Sequence, residues 1–282
     1  MIKNIQQLNS MTKYPSILTY HNLGERGSLV NSLVENKKFQ DDESVYVTEK
    51  IDGTNTRIIL FTDANSNIFD YFFGSREELL YAKGDRVCID KSGISTACSV
   101  NIEMIQKSIE NKMLQINSDE DREPILLPNR MYVLYGETYG GKINAHKQYT
   151  GHNAINLRFF DAWCMTIDEV LNYINTMTLD ALASWRDNGG QPFMSVTRLY
   201  SLLENLNLTT VPYIHCICGR EIPDDLQGVW DWMQQFSVSD ATIDSEGNGQ
   251  AEGVVLRNAN RTLIRKIRFE DYQKTKKRGL IR

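Results

Sequence analysis

The chain lacks any uninterrupted apolar stretch of the roughly 18 residues that a membrane-spanning helix needs. Its opening residues, MIKNIQQLNSMTKYPS, contain no apolar signal core. It has no excess of positive charge. Lys and Arg total 31 against 36 Asp and Glu, a net charge of −5, so nothing global draws it to nucleic acid; local patches act independently of that sum. Five cysteines (Cys88, Cys98, Cys164, Cys216 and Cys218) are an odd number without framework spacing, which excludes a disulfide scaffold. Cys216-Ile217-Cys218 sits beside His215, but no second half of a zinc site follows. The cysteines read as small core hydrophobes in a reducing compartment, and the chain reads as cytoplasmic. There is no internal repeat and no low-complexity segment.

What is present is ordinary for a soluble globular protein: 282 residues, 41% hydrophobic and 24% charged. That length suits one large domain or two small ones. Strand-like runs, rich in β-branched and aromatic residues, cover residues 45–49, 57–62, 68–73, 131–135, 156–163, 210–218, 253–257 and 262–269. The sequence RNANR (257–261) reads as a hairpin turn between the last two. Helical spacing predicts helices over 28–37, where Leu29, Leu33 and Val34 recur, and over 99–114, where Ile102, Ile105, Ile109 and Met113 recur. Further helices are expected over 167–185, broken near Met177, and over 195–206 and 222–236. Residues 117–128 and 237–249 read as loops. Strands and helices interleave without strict βαβ alternation, so the expected class is α+β, built on antiparallel sheets.

The stretch VYVTEKIDGTNTR (45–57) carries the first chemical signal. Alternation along its strand puts residues 46, 48 and 50 on one face and Val45 and Val47 on the other. Lys50 therefore ends the strand on the face opposite the valines, and Asp52-Gly53 supplies a tight turn. Alone, this is a hairpin with a lysine at its tip. Two carboxylates on further strands change its weight: Glu137 in YVLYGETYGG and Glu252 in AEGVVLR. In LIRKIRF, Lys266 and Arg268 share a face with Ile264, whereas Arg265 falls with Leu263, Ile267 and Phe269. NLRFFDAW adds Phe160 beside Asp161, and FGSR adds Arg76.

In this order the elements EKIDG, FGSR, YGE, FFDAW, EGVVLR and IRKIR resemble the motifs of the covalent nucleotidyltransferase superfamily, which comprises DNA ligases, RNA ligases and mRNA capping enzymes. The resemblance runs from about residue 45 to 272. Asn55 stands where DNA ligases and capping enzymes typically carry arginine, and in this the chain is similar to the RNA ligase 2-like branch. The resemblance implies a nucleotidyltransferase fold, an ATP-grasp-like ligase fold of antiparallel sheets flanked by helices. It also implies an ATP-dependent RNA ligase that joins 3′-OH and 5′-phosphate RNA ends through AMP carried on Lys50. Lys50, Lys266 and Arg268 would be catalytic. Glu49 would help read the adenine edge, Phe160 would stack on adenine, and Glu137 would bind the ribose. Asn55 and Arg76 would lie on the phosphate side, and Glu252 would hold the metal, Mg²⁺ with Mn²⁺ as a substitute.

The chemistry agrees with these residue types. An amine attacks a phosphorus only when unprotonated, and a free lysine at pH 7 is almost wholly charged. Neighbouring cations and partial desolvation favour the neutral amine, and the same cations offset charge building on the α-phosphate. The metal must be hard and oxygen-seeking. One position departs from the family pattern: the second basic residue of the last motif is usually lysine and here is Arg268, which keeps the charge and adds a planar fork suited to phosphate.

Residues 1–44 are expected to form an N-terminal segment packing on a catalytic domain over 45–282, without a C-terminal OB domain. RNA engagement must then come from the module itself, from that segment or from a protein partner. The tail QKTKKRGLIR (273–282) reads as either disordered or a contact to the RNA backbone. A small DNA ligase, a GTP-dependent capping enzyme and a non-catalytic nucleotide- or RNA-binding relic are the rival readings.

Overall fold

The twist and pairing of three antiparallel sheets set where every functional side chain can point. The computed structural model describes residues 4–83, 85–90, 93–116, 124–143 and 145–282. Its helices are α1 (Ile5–Thr12), α2 (Ile94–Ile116), α3 (Ile167–Thr176), α4 (Leu179–Asp187), α5 (Val196–Asn205), α6 (Leu226–Met233) and α7 (Phe269–Lys277). Its strands are β1 (His21–Leu23), β2 (Leu29–Leu33), β3 (Ser44–Lys50), β4 (Thr54–Thr62), β5 (Ile68–Ser75), β6 (Leu79–Ala82), β7 (Asp85–Arg86), β8 (Arg130–Gly140), β9 (Ile155–Thr166), β10 (Tyr213–Cys218), β11 (Gly253–Asn258) and β12 (Ile264–Arg268). The mixture of helices with antiparallel sheets is the expected class. No helix among the described residues is long and apolar enough to cross a membrane.

The chain divides into two compact units. One comprises residues 17–53, 139–154 and 211–282. Its four-stranded sheet has the order β10-β3-β11-β12, and β1 and β2 form a separate pair. Val45 and Val47 of β3, Val254 and Leu256 of β11 and Ile267 of β12 are buried against Val229 and Met233 of α6 and Tyr272 of α7. These are the alternate residues of each strand, as a sheet with one covered face requires. Asp225 caps α6, its carboxylate accepting from the Gly228 N–H.

The other unit comprises residues 1–16, 54–138 and 155–210. Its six-stranded sheet has the order β7-β6-β5-β4-β8-β9. Ile102, Ile105 and Ile109 of α2 and Leu199, Leu202 and Leu203 of α5 pack on Ile58, Leu60, Leu134, Leu157 and Phe159 of the sheet. The helical spacing of the isoleucines therefore reports a real face, and α2 starts five residues earlier than expected. The break near Met177 also appears, as the C-cap of α3. Thr178 opens α4, its side chain accepting from the Ala181 N–H.

Three expectations fail. Residues 28–37 are not a helix: Leu29–Leu33 pairs with β1, in the register His21↔Leu33 and Leu23↔Leu29. A 3-10 turn follows, in which Glu35 and Asn36 take positive φ of 58° and 51°. The i, i+4 spacing of Leu29 and Leu33 matches a helix as well as a short strand, and pairing decided between them. Residues 273–277 are helical, with Tyr272 and Thr275 buried, so the disordered reading of the tail does not hold there. The cysteines are free thiols, but only Cys98 is in the core, and Cys216 is exposed on β10. The expected loop over 117–128 lies outside the described residues as far as 123.

Local capping makes α3 start where it does. Thr166 accepts from the Glu169 N–H, and the Glu169 carboxylate accepts from the Thr166 N–H, a capping box. Thr166→Ala removes one half of it and should lower stability by about 1 kcal/mol in urea unfolding; an unchanged midpoint would show that the cap contributes nothing.

Candidate functional site

Pairing across the four-stranded sheet brings three basic residues onto one face. Lys50 of β3 lies opposite Gly253 of β11, and Gly253 lies opposite Arg268 of β12. One row further, Thr48 is opposite Val255 and Val255 opposite Lys266. Residues directly opposite in an antiparallel pair share a face, and so do residues two apart on a strand. Lys50, Lys266 and Arg268 therefore point to the same side. Arg265 goes to the other: it is buried, and its guanidinium meets Glu35 at 2.7 Å. The alternation read from LIRKIRF holds.

Lys50 donates to Glu252 in a short ion pair, with side-chain exposures of 24% and 17%; a pair this enclosed is weakly screened by solvent. Burial raises the Glu252 pKa, against the opposing pull of Lys50, and Asp52 adds to the rise. The Asp52 carboxyl is raised as well, first by burial, with Lys50 and Arg268 opposing and Glu270 adding. Arg268 donates to both oxygens of Asp271, at 2.9 and 2.8 Å. Burial works against its charge, yet Asp271, Glu252 and Glu270 raise its pKa overall. The turn after Lys50 is anchored from outside its own hairpin: the Asp52 N–H donates to the Tyr149 hydroxyl at 2.7 Å.

Glu49 is 3% exposed, and alternation puts it on the face opposite Lys50. Its carboxylate accepts from the Ser239 hydroxyl and from the Asp240 N–H at 2.9 Å. The segment containing Ser239 is thus pinned to the strand that ends in Lys50.

In the other unit, Asn55 of β4 lies directly opposite Glu137 of β8, so these two predicted site residues are neighbours on one face. The Asn55 Oδ1 is buried with no hydrogen-bond partner, an unmet acceptor that normally finds one. Phe160, half-buried on β9, packs edge-on against Tyr14 at 5.2 Å between ring centres, and Tyr14 donates to Asp161 at 3.0 Å. Arg76 is exposed and donates to the Ser16 hydroxyl at 2.6 Å.

The preceding glycine in FGSR has a steric reason. A Cβ on Gly74 would lie 2.6 Å from Nε of Arg57, a guanidinium that is completely buried.

The sequence model of the RNA ligase family matches residues 43–276. The chain belongs to the RNA ligase family. No curated protein sequence matches it. Among solved structures it is similar to an RNA ligase of Naegleria gruberi. A variant of that ligase with ATP and Mn gives a TM-score of 0.51 at 14% identity, over 94% of this chain and 58% of that one. A second variant with ATP and Mn gives 0.52 at 14%, over 94% and 59%. The same ligase with PPi gives 0.51 at 14%, over 95% and 59%. This chain therefore spans somewhat under three fifths of the length of those proteins, and at such identity the likeness concerns the fold.

Among the described residues no group of three or more His, Cys, Asp or Glu gathers for a metal. Mg²⁺ commonly takes one or two carboxylates and completes its shell with water and substrate phosphates. Glu252, with the Asp52 charge near enough to raise its pKa, fits that kind of site.

Two supporting residues escaped the sequence reading. Asp271 sits three residues beyond Arg268, a helical spacing that would have revealed it had 269–277 been read as α7. Tyr149 left no sequence signal, because nothing local ties it to Asp52.

Gly253 is the tightest point of this arrangement. A Cβ there would lie 2.0 Å from the Ile267 carbonyl oxygen and 2.8 Å from the Arg268 Cα, atoms that cannot swing aside. Gly253→Ala should therefore lower stability by about 3 kcal/mol or more, read as the thermal midpoint. A midpoint equal to wild type would mean that β11 and β12 separate without cost.

Proposed function

We propose that this chain is an ATP-dependent RNA ligase of the RNA ligase 2-like type, sealing a 3′-OH RNA end to a 5′-phosphate end. The observation that carries the reading is the Lys50–Glu252 contact, with Lys266 and Arg268 on the same sheet face as Lys50. A lysine enclosed with a carboxylate and two further cations, at the end of a rigid strand, is a nucleophile site rather than a solvated hairpin tip.

In this reading the neutral Lys50 amine attacks the α-phosphorus of ATP. A P–N bond forms, the α–β P–O bond breaks and pyrophosphate leaves, while the amine gives up a proton. The AMP then passes to the RNA 5′-phosphate: its P–N bond to Lys50 breaks as a phosphoanhydride forms. The RNA 3′-OH attacks that activated phosphate, a phosphodiester forms and AMP departs.

Lys266 and Arg268 neutralise charge on the phosphates. Asp271 fixes the plane of the Arg268 guanidinium, so the fork meets phosphate without first losing rotational freedom. Phe160 is assigned the adenine face, where base stacking contributes ~1–3 kcal/mol in single-strand binding. Glu137 is assigned the ribose. Asn55, whose Oδ1 lacks a partner, is assigned to the phosphate side with Arg76. Glu49 is assigned to the adenine edge, working together with the Ser239–Asp240 segment that it holds. Glu252 is assigned the metal, Mg²⁺ or Mn²⁺, which would supply Lewis-acid stabilisation of the α-phosphate when bound.

The test uses the purified chain with α-labelled ATP or GTP and Mg²⁺. Label should enter the protein from ATP and be lost completely in Lys50→Ala; absence of label from every nucleotide would sink the proposal. The labelled protein is then offered nicked duplexes with RNA or DNA on the 3′-OH side. RNA should be preferred there, and indifference to it would favour a DNA ligase.

A further inference from the structure

The unit that contains α1 to α5 carries a cleft of about 410 Å³ lined by Lys13, Tyr14, Ser16, Arg76, Glu77 and Arg186, among others. That volume is within the usual range for ligand sites, about 300–1,000 Å³. Its cations come from three places far apart in sequence: Lys13 just after α1, Arg76 just after β5 and Arg186 in the last turn of α4. None of them but Arg76 has a part in the nucleotide chemistry proposed above.

The charges of the cleft are arranged unevenly. Lys13 pairs with Glu77 at 2.8 Å, with side-chain exposures of 27% and 69%. Arg186 pairs with Asp187 at 2.7 Å, with exposures of 13% and 56%. In both pairs the cation is the enclosed member and the carboxylate the solvated one, Arg186 donating to both oxygens of Asp187, and with Arg76 the lining carries three cations against two carboxylates. The Arg186 guanidinium is also held by the Ser10 carbonyl at 3.0 Å. Arg76 reaches Ser16 and approaches Glu77 only to 3.9 Å.

A fourth cation stands behind the same wall. Arg57 is completely buried and donates to the Asn9 carbonyl at 3.2 Å and to the Asn9 side chain. Its Nε has no hydrogen-bond partner, and no carboxylate bonds to its guanidinium in these contacts. Asn9 in turn donates to the Glu77 carbonyl at 3.0 Å, which ties Arg57 to the cleft. Burial lowers the Arg57 pKa to about 10, still charged at neutral pH. A buried cation bonded to a neutral amide is costly on its own, and an anion in the neighbouring cleft would offset that cost.

The chemistry also identifies the anion. Tyr14 lines the cleft and packs against Phe160, the ring assigned to adenine. Tyr14 is itself buried, its hydroxyl donating to Asp161, so the cleft offers converging cations next to that ring rather than a free stacking face, which suits a backbone phosphate of a nucleic-acid strand. We propose that this cleft holds a backbone phosphate of the RNA strand, with Lys13 and Arg186 as RNA-binding residues beside Arg76. The proposal rests on the RNA ligase reading.

The test measures fluorescence anisotropy of a 5′-phosphorylated single-stranded RNA with the full chain at several salt concentrations. Lys13→Gln and Arg186→Gln should each raise Kd about tenfold, as for loss of one charge-assisted hydrogen bond, and reduce the salt slope by about one. Glu77→Gln and Asp187→Asn should act in the opposite direction, tightening binding several-fold, a gain that a damaged fold cannot produce. Unchanged affinity and slope in all four folded variants overturn the proposal, as does a wild type that binds no RNA. Wild-type binding of inorganic pyrophosphate that the glutamine variants lose, with RNA binding intact, overturns the RNA assignment. Labelling of wild type by ATP reports separately on the ligase reading, so a labelled protein with unaffected RNA binding overturns the cleft alone.

Discussion

The contact between Lys50 and Glu252 depends on one row of the sheet, Lys50–Gly253–Arg268. Three strands must approach closely enough there for a lysine, a carboxylate and an arginine to meet, and only the missing side chain of Gly253 permits it. Glu252 stands at the edge of that row, where its carbonyl accepts from the Phe269 N–H at 3.0 Å. The same bond starts α7, and α7 supplies Asp271 to Arg268. Strand register, helix start and the aim of the guanidinium thus follow from one local packing constraint. A charged pair with this little solvent is expensive to build, and burial raises the Glu252 pKa against the pull of Lys50.

The supports of Lys50 are distributed along the chain rather than local. Asp52 is held by Tyr149, and Glu49 by Ser239 and Asp240. The segments carrying those partners are bonded to each other: the Ile243 N–H donates to the Tyr149 carbonyl at 2.7 Å and the Asn248 N–H to the Lys147 carbonyl at 2.9 Å. Thr150 and Gly151 both donate to Asp244. Two largely irregular segments are therefore fixed by backbone bonds around the residues flanking Lys50. In the proposed reading Lys50 is the attacking amine, and its precise placement is worth orders of magnitude in rate.

What was legible in the sequence follows the range of the forces involved. Alternation in VYVTEK and LIRKIRF assigned Lys50, Lys266, Arg265 and Arg268 to the correct faces, because a strand's side-chain period is fixed by its backbone. The isoleucines of α2 and the break at Met177 were equally readable. The stretch 28–37 was not: Leu29 and Leu33 fit either period, and pairing with residues 21–23 decided the outcome. Cys216 gave no sign of exposure, since a cysteine's burial depends on whether its strand is an edge, and β10 is one. Of the cleft, only Arg76 had a motif to mark it. Lys13 and Arg186 are ordinary basic residues until α1 and α4 bring them together, and Arg57 reads as part of a strand until its burial is known.

The net charge of −5 acquires a different meaning in this light. A uniformly basic surface would hold any polyanion, whereas an acidic chain repels nucleic acid except where cations outnumber carboxylates locally. Cations gather on the sheet face with Lys50, Lys266 and Arg268 and in the cleft, where Lys13, Arg76 and Arg186, backed by Arg57, outnumber Glu77 and Asp187. Each still includes carboxylates, Glu252 and Asp271 in the first and Glu77 and Asp187 in the second. Those carboxylates hold the basic side chains in fixed positions before any phosphate arrives. The cost is a weaker attraction, and the gain is that a ligand meets an ordered array rather than mobile lysines and arginines. For a protein proposed to bring two RNA ends together and then release them, moderate binding at ordered sites serves turnover better than a strong diffuse field.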